Sequence, residues 1–325
     1  MKVGVFTNLF AGMGLADCLE YLSGMGVESV ELSTGNYNGS PHCPLDELLE
    51  SDSRCRQYKK MISDWGLEIC ALSCHGNVLH PDSDKRNRFV KVQHQTIRLA
   101  EKLGVQTVNT FSGCPGDSKS AKFANWVCFP WPDENQELLK WQWEEEVIPF
   151  WREEVEFSQN HGVRIGLEMF AGFVVYNAET LLKLRSVVGP TVGADLDPSH
   201  VIWQGVDPAI MVAELGDAVF HVQMKDVKLH PPIVARHGVI DAKPFGDEAH
   251  RAWTFRTVGY GHDVAFWKEF VSALRRVGYD GVLCIEQEDS LLSAKEGFEK
   301  SLTLVKELVV RDPERSQWWP PTQSV

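Results

Sequence analysis

Four stretches decide the fold: VRIGLE (163–168), TVGADLD (191–197), AVFHVQ (218–223) and GVLCIE (281–286). Each is a short apolar run of the length and alternation expected of a buried strand. Each also ends on a side chain bearing an oxygen: Glu168, Asp197, Gln223 and Glu286. Strand ends facing one mouth are where a parallel α/β barrel collects its chemistry. Three carboxylates converging there would repel one another unless a cation neutralised them. For any single acid, helix capping or a surface ion pair would be account enough. Four at one structural position point to a shared divalent ion.

Working outward, strand and helix patterns alternate along the chain. Strands are expected at 2–7, 27–32, 67–73, 105–111, 163–168, 191–197, 218–224 and 281–286. Helices are expected at 14–25, 44–65, 85–103, 136–161, 177–188, 207–215, 264–277 and 293–310. Eight βα units is the count that closes a barrel. Gly26, Gly66, Gly104, Gly162, Gly189, Gly216 and Gly278 each fall near an expected helix C-terminus, where a left-handed residue is favoured. An open doubly wound sheet is the rival, but only Gly12-Met13-Gly14 follows the first strand and the dinucleotide fingerprint is absent. The expectation is a single (β/α)8 TIM barrel over 1–310, with a tail at 311–325 packing on the barrel or on a partner. The tail carries Trp318 and Trp319, which would be sticky if exposed.

Two loops exceed ordinary connectors. Residues 112–135 carry Trp126, Phe129 and Trp131; residues 226–262 carry Arg236, His237, Arg251, Trp253, Arg256 and Tyr260. Both follow strands, so both are expected to overhang the mouth as lids or binding loops.

Composition narrows the class. The chain has 325 residues, 43% hydrophobic and 24% charged, with net charge −13. That acidity disfavours nucleic acid, since nothing basic would release counterions. No apolar run approaches a membrane span. The start, MKVGVF, reads as a strand rather than a signal peptide. The eight cysteines form no CxxC pair, and free thiols in a reducing compartment are expected. Together these give a cytoplasmic protein.

Alternation along each strand selects the inward residues. In HVQMKD, His221, Gln223 and Lys225 share a face; in the stretch around IEQED, Glu286 and Glu288 do; in GADLD, Asp195 and Asp197 do. Pro198 ends its strand and leaves His200 near the mouth. Three carboxylates and an amide carbonyl make a hard oxygen site, suited to Mn²⁺ or Mg²⁺.

At DPSHVIWQGVDP (197–208), HVQMKD (221–226), FRTVGYGHD (255–263), GYDGVLCIEQED (278–289) and ALSCHGNVLHP (71–81), the chain resembles the sugar phosphate isomerase/epimerase family. That family has the xylose isomerase-like TIM barrel and is related to endonuclease IV. The resemblance implies a divalent metal held by Glu168, Asp197, Gln223 and Glu286, with Glu168 and Glu286 moving protons. It puts His75, His200 and Lys225 against substrate; Arg256, on the second long loop, is a further candidate contact. The family commonly has histidine at 170, 223 and 287, where this chain has Phe170, Gln223 and Gln287, and asparagine at 195, where it has Asp195. Fewer histidines argue against multinuclear zinc chemistry.

The function expected is a metal-dependent sugar isomerase or epimerase working through an enediolate, with two glutamates as acid and base. A rival is a lyase or deglycosidase eliminating the C1 substituent of a 3-keto-glycoside, acting with a small second subunit. Another is a sugar-binding barrel without catalysis. The expected partners are a sugar or glycoside and either a second copy or a small subunit.

Overall fold

A computed structural model describes residues 1–312. Eight parallel strands close into a barrel. In chain order they are β1 (Lys2–Phe6), β2 (Ser29–Ser33), β3 (Glu68–Ser73), β4 (Thr107–Phe111), β5 (Arg164–Glu168), β6 (Val192–Leu196), β7 (Val219–Met224) and, after a hairpin of β8 (Asp226–Leu229) and β9 (Trp253–Arg256), β10 (Val282–Ile285). β10 pairs with both β7 and β1, which completes the ring. All eight expected barrel strands are present.

The (β/α)8 expectation holds at the helix ends too. All seven glycines singled out in the sequence have positive φ. Gly104 illustrates the reason. It follows the helix Ser83–Leu103 at φ 72°, ψ 29°, and its N–H caps Ala100 and Glu101 carbonyls. A β-carbon is disfavoured in that conformation. At the other end Asp82 accepts from the N–H groups of Asp84 and Lys85, satisfying two of the helix's free donors.

Two helices depart from the expected outline. The segment 44–65 is two helices, Leu45–Glu50 and Asp52–Asp64, because Ser51 is extended and caps the second through Arg54 N. The segment 136–161 starts at Glu134 and widens into a π-helical stretch at Gln142–Val147 before continuing as Ile148–Asn160. There Gln142 is buried, and its Nε2 donates to the carbonyls of Gly116 and Asn125 at 2.9 and 2.8 Å. The wide turn thus ties the first long loop to the barrel wall. The second long loop is folded rather than irregular: β8 and β9 pair antiparallel, with a helix Pro231–His237 between them.

Val3, Val5, Val30, Leu32, Leu72, Val108, Leu167 and Leu283 are fully buried in one continuous core. Among the described residues no helix is long and apolar enough to cross a membrane. The expectation for Trp318 and Trp319 lies outside the described residues.

Candidate active site

The strand ends bring the expected acids to one mouth. Glu168 closes β5 and lies in register with Asp195 of β6. Gln223 sits near the end of β7, and Glu286 follows β10. A cavity of about 270 Å³ opens there, lined by Glu168, Gln223, Glu286, Glu288, His75, His200 and Lys225, with aromatic walls from Phe6, Phe111, Phe170, Phe245 and Phe255. Asp197 does not line this space, but touches two residues that do. Its Oδ2 lies 3.1 Å from His200 Nε2 and 2.9 Å from Lys225 Nζ.

Opposite charges interleave here. His75 Nε2 is 2.9 Å from Glu168 Oε2 and 3.8 Å from Asp195 Oδ2. His200 Nε2 is 2.9 Å from Glu168 Oε1. Lys225 Nζ reaches Glu286 Oε1 at 3.3 Å and Glu288 Oε2 at 3.0 Å. Burial alone would raise the Glu168 carboxyl, but the contacts and charge of His200 and His75 hold it well below the usual range. Burial works against protonated His75, and Asp195 and Glu168 overcome it, lifting His75 to about 10. Glu286 moves the other way. Burial pushes it well above the ordinary value, Glu288, Glu168 and Asp197 add to this, and Lys225 offsets only part. Two carboxyls driven apart in this manner are a common mark of a reacting centre.

The donor set fits a divalent cation. Among the described residues, Gln223 Oε1 and both oxygens of Asp195 are buried with no aligned hydrogen-bond partner, and Asp197 Oδ2 is met only by ion pairs with Lys225 and His200. Lone pairs left unmatched in a dry site are costly, and a cation would satisfy them. Glu168 contributes to two compact donor groups, one with His75 and Asp195, the other with Asp197 and His200.

Gln223 is oriented by a residue the sequence reading missed. Glu31, in the middle of β2, is fully buried. Its Oε2 accepts from Gln223 Nε2 at 2.7 Å and lies 2.9 Å from His221 Nε2. Asn109 and Ser73 donate to Oε1. Because a carboxylate can only accept, the amide nitrogen must face Glu31. That leaves Gln223 Oε1 as the outward atom. The available signal was a charged residue inside the apolar run SVELS.

Arg256 is not brought into the cavity. Its Nε donates to Asp289 Oδ2 at 3.0 Å. Gln287 likewise turns away, donating to Thr257 Oγ1 at 3.0 Å.

A family model described as xylose isomerase-like TIM barrel matches residues 19–308. The uncharacterized protein YfiH of Bacillus subtilis (strain 168) is 37% identical over 313 residues, covering 95% of this chain and 99% of that one. A D-tagatose 3-epimerase-like protein superposes with TM-score 0.62 at 19% identity, over 95% of this chain and 98% of that one. Two further barrels were solved with metal. The IolI protein carries zinc (17% identity, TM-score 0.64, 95% and 98% covered). A protein from Mycobacterium smegmatis is in complex with magnesium (18%, 0.61, 95% and 98%). At these identities the solved structures show the shared fold.

Proposed function

The chain belongs to the xylose isomerase-like TIM barrel family, and on that premise we propose that it is a divalent-metal-dependent sugar isomerase or epimerase. The observation that carries this reading is the convergence of Glu168, Gln223 and Glu286 on one cavity, with Asp197 immediately behind it and Gln223 Oε1 buried without a hydrogen-bond partner among the described residues. Glu168, Asp197, Gln223 and Glu286 would hold the ion. Once bound, it would polarise a sugar carbonyl and acidify the adjacent C–H.

The remaining work falls to the chain's own side chains. One of Glu168 and Glu286 takes the proton from carbon, and the other returns a proton to the same carbon or its neighbour. Return to the same carbon from the opposite face inverts it; return to the neighbour, with the hydroxyl proton passing to the former carbonyl oxygen, moves the carbonyl. Lys225 and His200 stand beside these carboxylates and would fix the sugar hydroxyls. Phe111, Phe170 and Phe255 exclude water from the reacting carbon.

The test is turnover of free ketohexoses and of a 3-keto-glucoside in D₂O by Mn²⁺-loaded protein. Deuterium is expected at the carbon next to the carbonyl, without loss of the C1 substituent. Exchange should vanish in Glu286→Gln while the circular dichroism stays unchanged. Metal-dependent release of the C1 substituent would instead assign an eliminating lyase. Neither metal uptake nor exchange would leave a sugar-binding barrel.

A further inference from the structure

A second pocket of about 510 Å³ adjoins the metal-site cavity and shares Phe170, His200 and Phe245 with it. The two long loops build most of it, with Trp126 from the first and Phe245 and Trp253 from the second. Trp203 and Trp253 stack nearly parallel, 4.9 Å between centroids at 7°. The buried Arg251 guanidinium lies over Trp253 and Phe245 at 4.5 and 4.7 Å, a cation–π arrangement that fixes both rings. Trp126 meets Tyr176 edge-on at 5.4 Å.

Many polar groups around this annex are committed to the protein, while two buried donors, Trp126 Nε1 and Arg251 Nη2, have no hydrogen-bond partner among the described residues. Gln204 Nε2 donates to the carbonyls of His200 and Tyr176. Asp241 accepts from Ala252 N and pairs with Lys243. Arg251 donates to the carbonyls of Trp253 and Lys243. A second sugar ring would need many free donors and acceptors for its hydroxyls, whereas a flat aromatic group bearing a single oxygen needs no more than these two donors. Exposed Ile240 and Phe245 on the lining leave apolar surface for a ligand to cover.

We propose that the annex holds a flat aromatic substituent of the substrate, so that the sugar enters as an aryl glycoside of a keto sugar, with its carbonyl-bearing ring in the neighbouring cavity. This rests on reading that cavity as the sugar site. The aromatic walls would supply stacking and apolar burial, and binding energy remote from the reacting carbon would position the sugar.

The experiment separates the two readings. 2-Naphthol is titrated by fluorescence into EDTA-stripped full-length protein. Saturable binding is expected, weakened at least ten-fold by Trp126→Ala, which removes one wall. Ala242→Trp, an exposed lining position on the loop, is expected to weaken it similarly by filling the space. Phenyl β-D-glucopyranoside should displace naphthol, and cellobiose should not. Absence of naphthol binding, indifference to both variants, or equal displacement by cellobiose would overturn the proposal. Mn²⁺ calorimetry on the same preparation tests the metal site alone. Naphthol binding without Mn²⁺ binding keeps the annex and ends the metal-sugar reading; Mn²⁺ binding without naphthol does the reverse.

Discussion

Glu31 holds the amide nitrogen of Gln223, which would leave the amide oxygen free to face a metal. Glu31→Gln would let the amide rotate. Such supporting contacts typically change metal affinity 10–100-fold, and calorimetric titration with Mn²⁺ should show a loss of roughly that size. The same substitution leaves His221 without its buried partner, which should lower stability by about 3–5 kcal/mol in urea unfolding. Its pH dependence has a definite sign. Burial would raise Glu31, but His221 and the hydrogen bonds from Ser73 and Asn109 bring it from 4.5 to about 2. Its stabilisation is present above pH 4.5 and is lost as pH falls toward 2. Burial would lower His221, but Glu31 raises it from 6.5 to about 10. Its share is complete below pH 6.5 and is lost as pH rises through 10. The melting-temperature gap between wild type and Glu31→Gln should therefore be widest near pH 5–6 and narrow on both sides. A gap independent of pH would remove the buried pair from the account. Glu168, Asp197 and Glu286 were legible because each ends an apolar run. Glu31 was not, since its partner His221 lies 190 residues away.

At the level of elements, one carboxylate organises the second long loop. Asp226 Oδ2 accepts from the N–H groups of Gly259, Gly261 and His262, while Oδ1 takes Val227 N and His262 Nδ1. Charge-assisted bonds of this kind are among the stronger ones. Asp226→Asn keeps one acceptor oxygen and loses the charge, so it should cost about 3 kcal/mol and speed hydrogen exchange through 226–262. Gly261→Ala should act alike, because its Cβ would sit 2.4 Å from both Asp226 Oδ1 and Val227 O. Unchanged exchange in both variants would show the loop to be held by other contacts. The strings HVQMKD and RTVGYGHD drew attention in the sequence without revealing that one grips the other. The loop's length announced a lid; the hairpin within it was not foreseen, because its strands, Asp226–Leu229 and Trp253–Arg256, have only four residues each.

For the whole molecule, an ion gripped by three acids and an amide from four strand ends would tie distant parts of the barrel together. A ligand that binds only the folded state stabilises it by about 2.7 kcal/mol at 100 times its Kd. Mn²⁺ should therefore raise the melting temperature, EDTA should reverse the rise, and Glu168→Gln should abolish it. An equal rise in that variant would place the ion elsewhere.

The sequence by itself determined the eightfold alternation, the glycines that end the helices and the acids at the strand ends. These follow from local rules: side-chain period, backbone freedom and strand length. Only the tertiary structure decided that Glu31 orients Gln223, that Arg256 spends itself on Asp289, and that aromatics from two loops wall a pocket beside the acids. Such pairings depend on which side chains barrel closure brings face to face, and that distance is not written in the spacing along the chain.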